Sequence, residues 1–373
     1  MKLLFIFFFL FTGSVSAQLQ VESFRNDLNQ NNDAAVIQAS MDALANQGHG
    51  SLSFDGSRTY KINRSIELPR YTGEGRKIYV INGNGAIILA GSDTLNIFNR
   101  IPQNQKEALG KMIGTRFIIQ DLSFIGGAKG INLGGTLGSS ILRCNFTNIR
   151  IAAIDIQFGL QTVISHCYAT NCFEDNFILR TGEDWGGNSN NSQSNHSVIE
   201  YSRVYARKES KTGYKILGSG GIVLRDIISE GSHEIDYAIF ADRLKSTTVR
   251  YFKIENLHLE HAPLKAGIYL SITGNTEING IFYQHARKVG EFTLIHAGEG
   301  SGLINVASIP HFVTGTVMRL ESPGCGFWNL NFSAKEFYLK ENWRIKKADD
   351  TYESKLPFYF SGQGGGAQVK IKY

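Results

Sequence analysis

Short apolar runs recur along the chain at a spacing that constrains its fold more than any single motif. Those that follow a polar residue or a glycine are Asp121-Leu-Ser-Phe, Arg143-Cys-Asn-Phe, His166-Cys-Tyr-Ala, Arg203-Val-Tyr-Ala, Asp226-Ile-Ile-Ser, Asn256-Leu-His-Leu and Gly280-Ile-Phe-Tyr, at steps of 22, 23, 37, 23, 30 and 24 residues. A unit this short cannot bury a core alone, so it must stack on its neighbours as a solenoid. After a polar turn each unit carries a second apolar run: Gly130-Ile-Asn-Leu, Ile154-Asp-Ile, Phe177-Ile-Leu, Ile216-Leu, Ala238-Ile-Phe, Gly267-Ile-Tyr-Leu and Phe292-Thr-Leu-Ile.

Two or three strands per unit, joined by turns, are what a coil of a parallel β-helix requires, with inward residues stacking at about 4.8 Å. Forty glycines and little helical periodicity favour many short strands, so the expected class is all-β. Cys144 and Cys167 fall at the same place in adjacent coils and are read as interior neighbours, either as stacked thiols or as a disulfide. The four cysteines lack the paired C-x-x-C spacing of a zinc site.

The termini have a different grammar. Met1-Lys2, the apolar run Leu3 to Phe11 and the small triplet Val15-Ser16-Ala17 form a signal-peptide pattern over residues 1–17, too short to span a bilayer. The expectation is a secreted or periplasmic protein with one β-helix domain over 18–373. Within it, about 30–70 would form the cap and first strands, 115–335 the main coils and 336–373 the closing strands. Asp33 can cap a helix whose apolar positions Val36, Ile37, Met41 and Leu44 have helical spacing, and Gly48 to Gly50 stops it. Such a helix would cover the open end of the solenoid. At the other end, Phe337, Leu339 and Ile345, with Trp328 and Trp343 nearby, read as closing strands, and Gly362 to Gly366 as a turn before a last strand, Val369 to Tyr373.

The entry segment carries a specific pattern. Asp33, Ile37, Gln38, Asp42, Ala43, Gly50, Gly56, Tyr60 and Ile62 form a D-x-x-x-I-Q-x-x-x-D-A helix, a glycine turn and a G-x-x-Y-x-I strand. This resembles the start of the pectate-lyase-like right-handed parallel β-helix superfamily. The resemblance implies a single-stranded right-handed parallel β-helix with an N-terminal capping helix. It leaves the reaction open, because similar proteins include lyases, hydrolases, epimerases and tailspikes.

Residues just past the first strand of each coil, Thr147, Thr170, Arg207, Glu230, Glu260 and Gln284, are expected to form one surface column. Within it Glu230 and Glu260 would stand at a spacing that suits acid and nucleophile roles at a sugar bond, or Arg207 would simply neutralise Glu230. A polar insert, Thr181 to Ser197, enlarges one coil, and its Trp185 either stacks on a sugar ring or packs on the coil below. Arg207, Lys208 and Lys211 follow and could pair with uronate or sulfate groups, with His233 nearby as a further substrate contact. For β-elimination, Lys211 is the candidate base and Arg207 the carboxylate neutraliser. Glu174, Asp175 and Asp184 are candidate oxygen ligands for calcium. Polygalacturonase-like hydrolases carry a tandem-Asp motif and a Gly-His-Gly in mid-coil positions, and neither stands in a mid-coil position here; Gly48-His49-Gly50 sits in the cap turn.

A formal net charge of +5 suits an anionic polysaccharide partner, and no dense basic run with interleaved aromatics points to nucleic acid. The expected function is cleavage of an acidic polysaccharide by β-elimination. Glycoside hydrolysis at the paired carboxylates, or glycan binding without catalysis, are the alternatives, in a monomer or a trimer.

Overall fold

The computed structural model describes residues 18–70, 75–187, 191–207, 209–233, 235–260, 264–271, 273–283, 293–298, 300–301 and 304–307. It also describes the backbone of the strands Thr316–Leu320, Trp328–Asn331, Phe358–Phe360 and Val369–Lys372. The expected signal peptide, Cys325, Phe337, Leu339, Trp343, Ile345 and the turn Gly362 to Gly366 lie outside these residues. No helix among them is long and apolar enough to cross a membrane.

The strands form a 19-stranded and an 11-stranded sheet whose ladders are parallel throughout. The recurrent units explain this: beyond the first strand, Leu19–Gln20, each strand pairs with its equivalent one coil away, not with its neighbour in sequence. In the 11-stranded sheet Ile66, Phe98, Ile131, Ile154, Phe177, Tyr214, Ile239, Ile268 and Ile295 stand in register, and all are fully buried. Aromatic rings extend the interior stack, with Phe124 and Phe146 parallel at 5.1 Å and Phe177 on Tyr214 at 5.4 Å. Such pairs contribute about 0.5–1.5 kcal/mol each beyond burial. The Tyr214 hydroxyl stays satisfied by donating to the carbonyl of Ser202 or Ile228, at 2.7 and 2.9 Å.

The polar residue that opens each repeat has a backbone reason. Asp121, Arg143, His166, Asp226, Asn256 and Gly280 all adopt positive φ, between 48° and 81°, where the coil turns a corner. The equivalent corner in the remaining coil is Tyr201, φ 48°, and not Arg203. Tyr168 pairs with Arg203, so the expected alignment of that coil is displaced by two residues. Left-handed backbone disfavours a bulky residue, and the Tyr201 ring compensates by packing on His166 at 5.0 Å. Cys144 and Cys167 are interior neighbours as expected, both as free, buried thiols, like Cys172.

Helix α1 (Asp33–Gln47) buries Val36, Ile37, Met41 and Leu44 against the first coil. Its cap is Asn32, whose side chain accepts from the Ala35 amide, and not Asp33. Asp33 instead accepts from Arg25 and from the Lys61 amide, both at 2.8 Å. Gln38 exchanges two hydrogen bonds with the Glu67 backbone, at 2.9 and 3.1 Å, and so covers the edge strand Ile66–Glu67 as a neighbouring strand would. At the far end Val369–Lys372 pairs with Trp328–Asn331, continuing the solenoid.

Candidate active site

Three strands, Arg203–Ala206, Gly220–Gly231 and Arg250–Leu259, present one outer face on which alternate residues point to solvent. Register places Tyr168, Arg203, Ile228, His258 and Phe282 in one outward column. A second column two residues on holds Thr147, Thr170, Tyr205 and Glu230, with Glu260 beside it, since the Glu260 amide donates to Ser229 at 3.1 Å. Tyr205, not Arg207, is therefore the register partner of Glu230. The misplacement follows from the hidden corner at Tyr201.

The expected pairing of Glu230 and Glu260 is present. Together with His258, one ligand-type atom from each lies within 4.8 Å of the others. His258 Nε2 stands 2.7 Å from Glu260 Oε1, and its ring packs on Phe282 at 4.6 Å. Arg203, not Arg207, forms the ion pair with Glu230. Exposed Tyr168 and Phe282 lie on this column four coil steps, or about 19 Å, apart. His258 and Arg203 were not anticipated, although the alternation His258-Leu259-Glu260 in an apolar run places both polar residues on one face.

The structure takes the other expected residues elsewhere. Arg207 pairs with Glu209 at 2.6 Å, and its guanidinium lies 3.8 Å from the centre of the Phe173 ring. Lys211 is exposed and meets Glu174 at 3.5 Å. His233 is exposed, and Lys208 lies outside the described residues. Trp185 packs on Phe158 at 6.1 Å and is only 5% exposed, so its ring is spent on packing and offers no open face to a sugar. Asp175 is held by Lys215 at 2.7 Å and Asp184 by Arg180 at 2.6 Å, so each of the three carboxylates assigned to calcium already faces a cation.

A second polar cluster, of which the sequence expectations include only Asp184, lies on the outer face of the 11-stranded sheet. Asp155, 1% exposed, accepts from Lys129 Nζ at 2.5 Å and from Arg180 Nε and Nη2 at 2.8 and 2.9 Å. Burial pushes its carboxyl up, but Arg180 and Lys129 outweigh that and hold it below the ordinary range. Arg180 continues to Asp184, and Gln157 donates to the same carboxylate at 2.9 Å. Asn132, Asn99 and Glu67 extend the chain toward the first coil. Beyond Lys215 the same column becomes Phe240, Tyr269 and His296. Phe240 and Tyr269 stack parallel at 5.0 Å, so one face of each ring is taken up by the other.

No protein-family model matches the chain, and no curated protein matches it. Solved structures do. The A-module of the mannuronan C-5 epimerase AlgE6 of Azotobacter vinelandii aligns with a TM-score of 0.55 at 12% identity, over 95% of this chain and 96% of that one. The tailspike of E. coli bacteriophage HK620, a mutant in complex with a pentasaccharide, gives 0.57 at 10% identity over 95% of this chain and 65% of its own. A family 28 exopolygalacturonase of Yersinia enterocolitica gives 0.51 at 9% identity, over 96% and 78%. The chain is a right-handed parallel β-helix, the fold that these three structures share.

Proposed function

We propose that the protein is a carbohydrate-active enzyme that hydrolyses a glycosidic bond in a polysaccharide, with Glu230 and Glu260 as its two carboxyl groups. The observation that carries this reading is their convergence from consecutive coils, with donor atoms within 4.8 Å. A separation of at most 4.8 Å falls well short of the inverting range of about 6.5–9.5 Å and leaves the pair on the side of retaining glycosidases, whose carboxyl groups stand about 5–5.5 Å apart. Glu230, paired with Arg203, is suited to attack the anomeric carbon as a carboxylate. Glu260 faces His258 and, among the described residues, no lysine or arginine; it gives its proton to the leaving sugar oxygen. Water then loses a proton to Glu260 and displaces Glu230, restoring both groups.

Exposed Tyr168 and Phe282 on the neighbouring column supply apolar contact for sugar rings to either side. An acidic chain fits the net charge of +5. β-Elimination with Lys211 as base and Arg207 as neutraliser has less support, because these two side chains are engaged by Glu174, Glu209 and Phe173. Incubation with a panel of acidic and neutral polysaccharides separates the two. Hydrolysis yields new reducing ends without ultraviolet-absorbing unsaturated uronates; elimination yields both.

A further inference from the structure

We propose that Glu230, His258 and Glu260 form a binding site for a divalent cation of the zinc type, and that the cation competes with Arg203 for Glu230. Three donors converge from two adjacent coils: His258 on the strand Arg250–Leu259 and Glu260 just past its end lie two residues apart, and Glu230 stands on the neighbouring coil. The set mixes imidazole nitrogen with carboxylate oxygen, which zinc accepts at about 2.0–2.2 Å while leaving a fourth position open.

A second observation points the same way. His258 Nε2 is buried at the atom level and makes no hydrogen bond, although Glu260 Oε1 is only 2.7 Å away. The contact lacks the alignment of a donor and an acceptor, which leaves the imidazole nitrogen open to another partner, and a slight parting of the two groups would admit an ion between them. Phe282, whose tilted ring packs 4.6 Å from the imidazole, restricts its orientation. The acidic residues Glu174, Asp175 and Asp184 differ, because each is paired with its own lysine or arginine. Glu230 also has a cationic partner, but the Arg203 side chain is 45% exposed and can turn to solvent when a metal displaces it.

The site stands independently of the hydrolytic reading. One consequence rests on that reading: a bound cation occupies both carboxylates and so inhibits hydrolysis. The test is calorimetric titration of metal-stripped, untagged full chain with zinc chloride, with circular dichroism to verify each variant's fold. Wild type binds one ion. His258→Ala and Glu260→Gln each weaken binding at least tenfold, whereas Arg203→Ala tightens it severalfold because the competing cation is gone. Absence of zinc binding in both wild type and Arg203→Ala overturns the proposal, as does unchanged affinity in folded His258→Ala. Zinc binding by a protein that hydrolyses no glycan leaves the site standing and removes only the hydrolytic reading.

Discussion

Replacing Asp155 by asparagine takes the negative charge out of a pocket that keeps two cations beside it. The carboxylate is 1% exposed and accepts from Lys129 at 2.5 Å and from Arg180 at 2.8 and 2.9 Å. Breaking a buried pair by removing one partner costs about 3–5 kcal/mol, because the remaining charge is left uncompensated. The asparagine oxygen still accepts one hydrogen bond and Asp184 still holds Arg180, so the lower end, about 3 kcal/mol, is expected. In urea the midpoint should fall by about 1 M with an unchanged slope, taking about 3 kcal/mol per molar for a chain of this size.

The pH dependence has a definite sign. The folded pKa of Asp155 lies below its unfolded value of about 3.9, so the stabilisation is complete above that pH and is lost as pH falls through the folded value. Wild type and variant should therefore converge in acid. A loss under about 1 kcal/mol at neutral pH, or a gap that persists undiminished in acid, would refute the reasoning.

Three further outcomes follow from the packing. A Cβ on Gly182 would lie 1.7 Å from Trp185, so Gly182→Ala should expel that ring, red-shift tryptophan emission and cost about 1–3 kcal/mol; unchanged emission and stability would show that Trp185 is not packed there. The thiols of Cys144, Cys167 and Cys172 are buried, and burial pushes Cys144 up and Cys172 up to about 12, so a thiol reagent in mildly alkaline buffer should label them only after unfolding. Tyr214→Phe removes a donor shared by two buried carbonyls and should lower stability by about 1–2 kcal/mol in a denaturant melt, where no change would contradict the assigned bonds.

The solenoid was legible in the sequence because its corners need left-handed backbone, and Asp121, Asp226, Asn256 and Gly280 are residue types that tolerate it. Tyr201 is not, so that corner was hidden, and the look-alike Arg203-Val-Tyr-Ala drew the alignment two residues off. The error put Arg207 beside Glu230 where Tyr205 stands. Glu230 and Glu260 escaped it, because both follow corners with ordinary polar signals. Asp155 and Arg180 were missed for another reason. They are 25 residues apart, Asp155 inside an apolar run and Arg180 at the end of another, so only coil-on-coil register brings them together. The one local sign was a carboxylate between Ile154 and Ile156, both fully buried. The entry helix was legible from its spacing, but the choice between Asn32 and Asp33 as cap depends on Arg25 and Lys61, which draw Asp33 away.

The most direct test of the proposed chemistry measures reducing-end release by wild type, Glu230→Gln and Glu260→Gln side by side, on whichever polysaccharide the wild type degrades. Two converging carboxyl groups predict losses of about 10²–10⁴-fold in each variant, with retained anomeric configuration in the wild-type product. Undiminished activity in both variants, or unsaturated ends that persist in them and disappear in Lys211→Ala, would contradict the account.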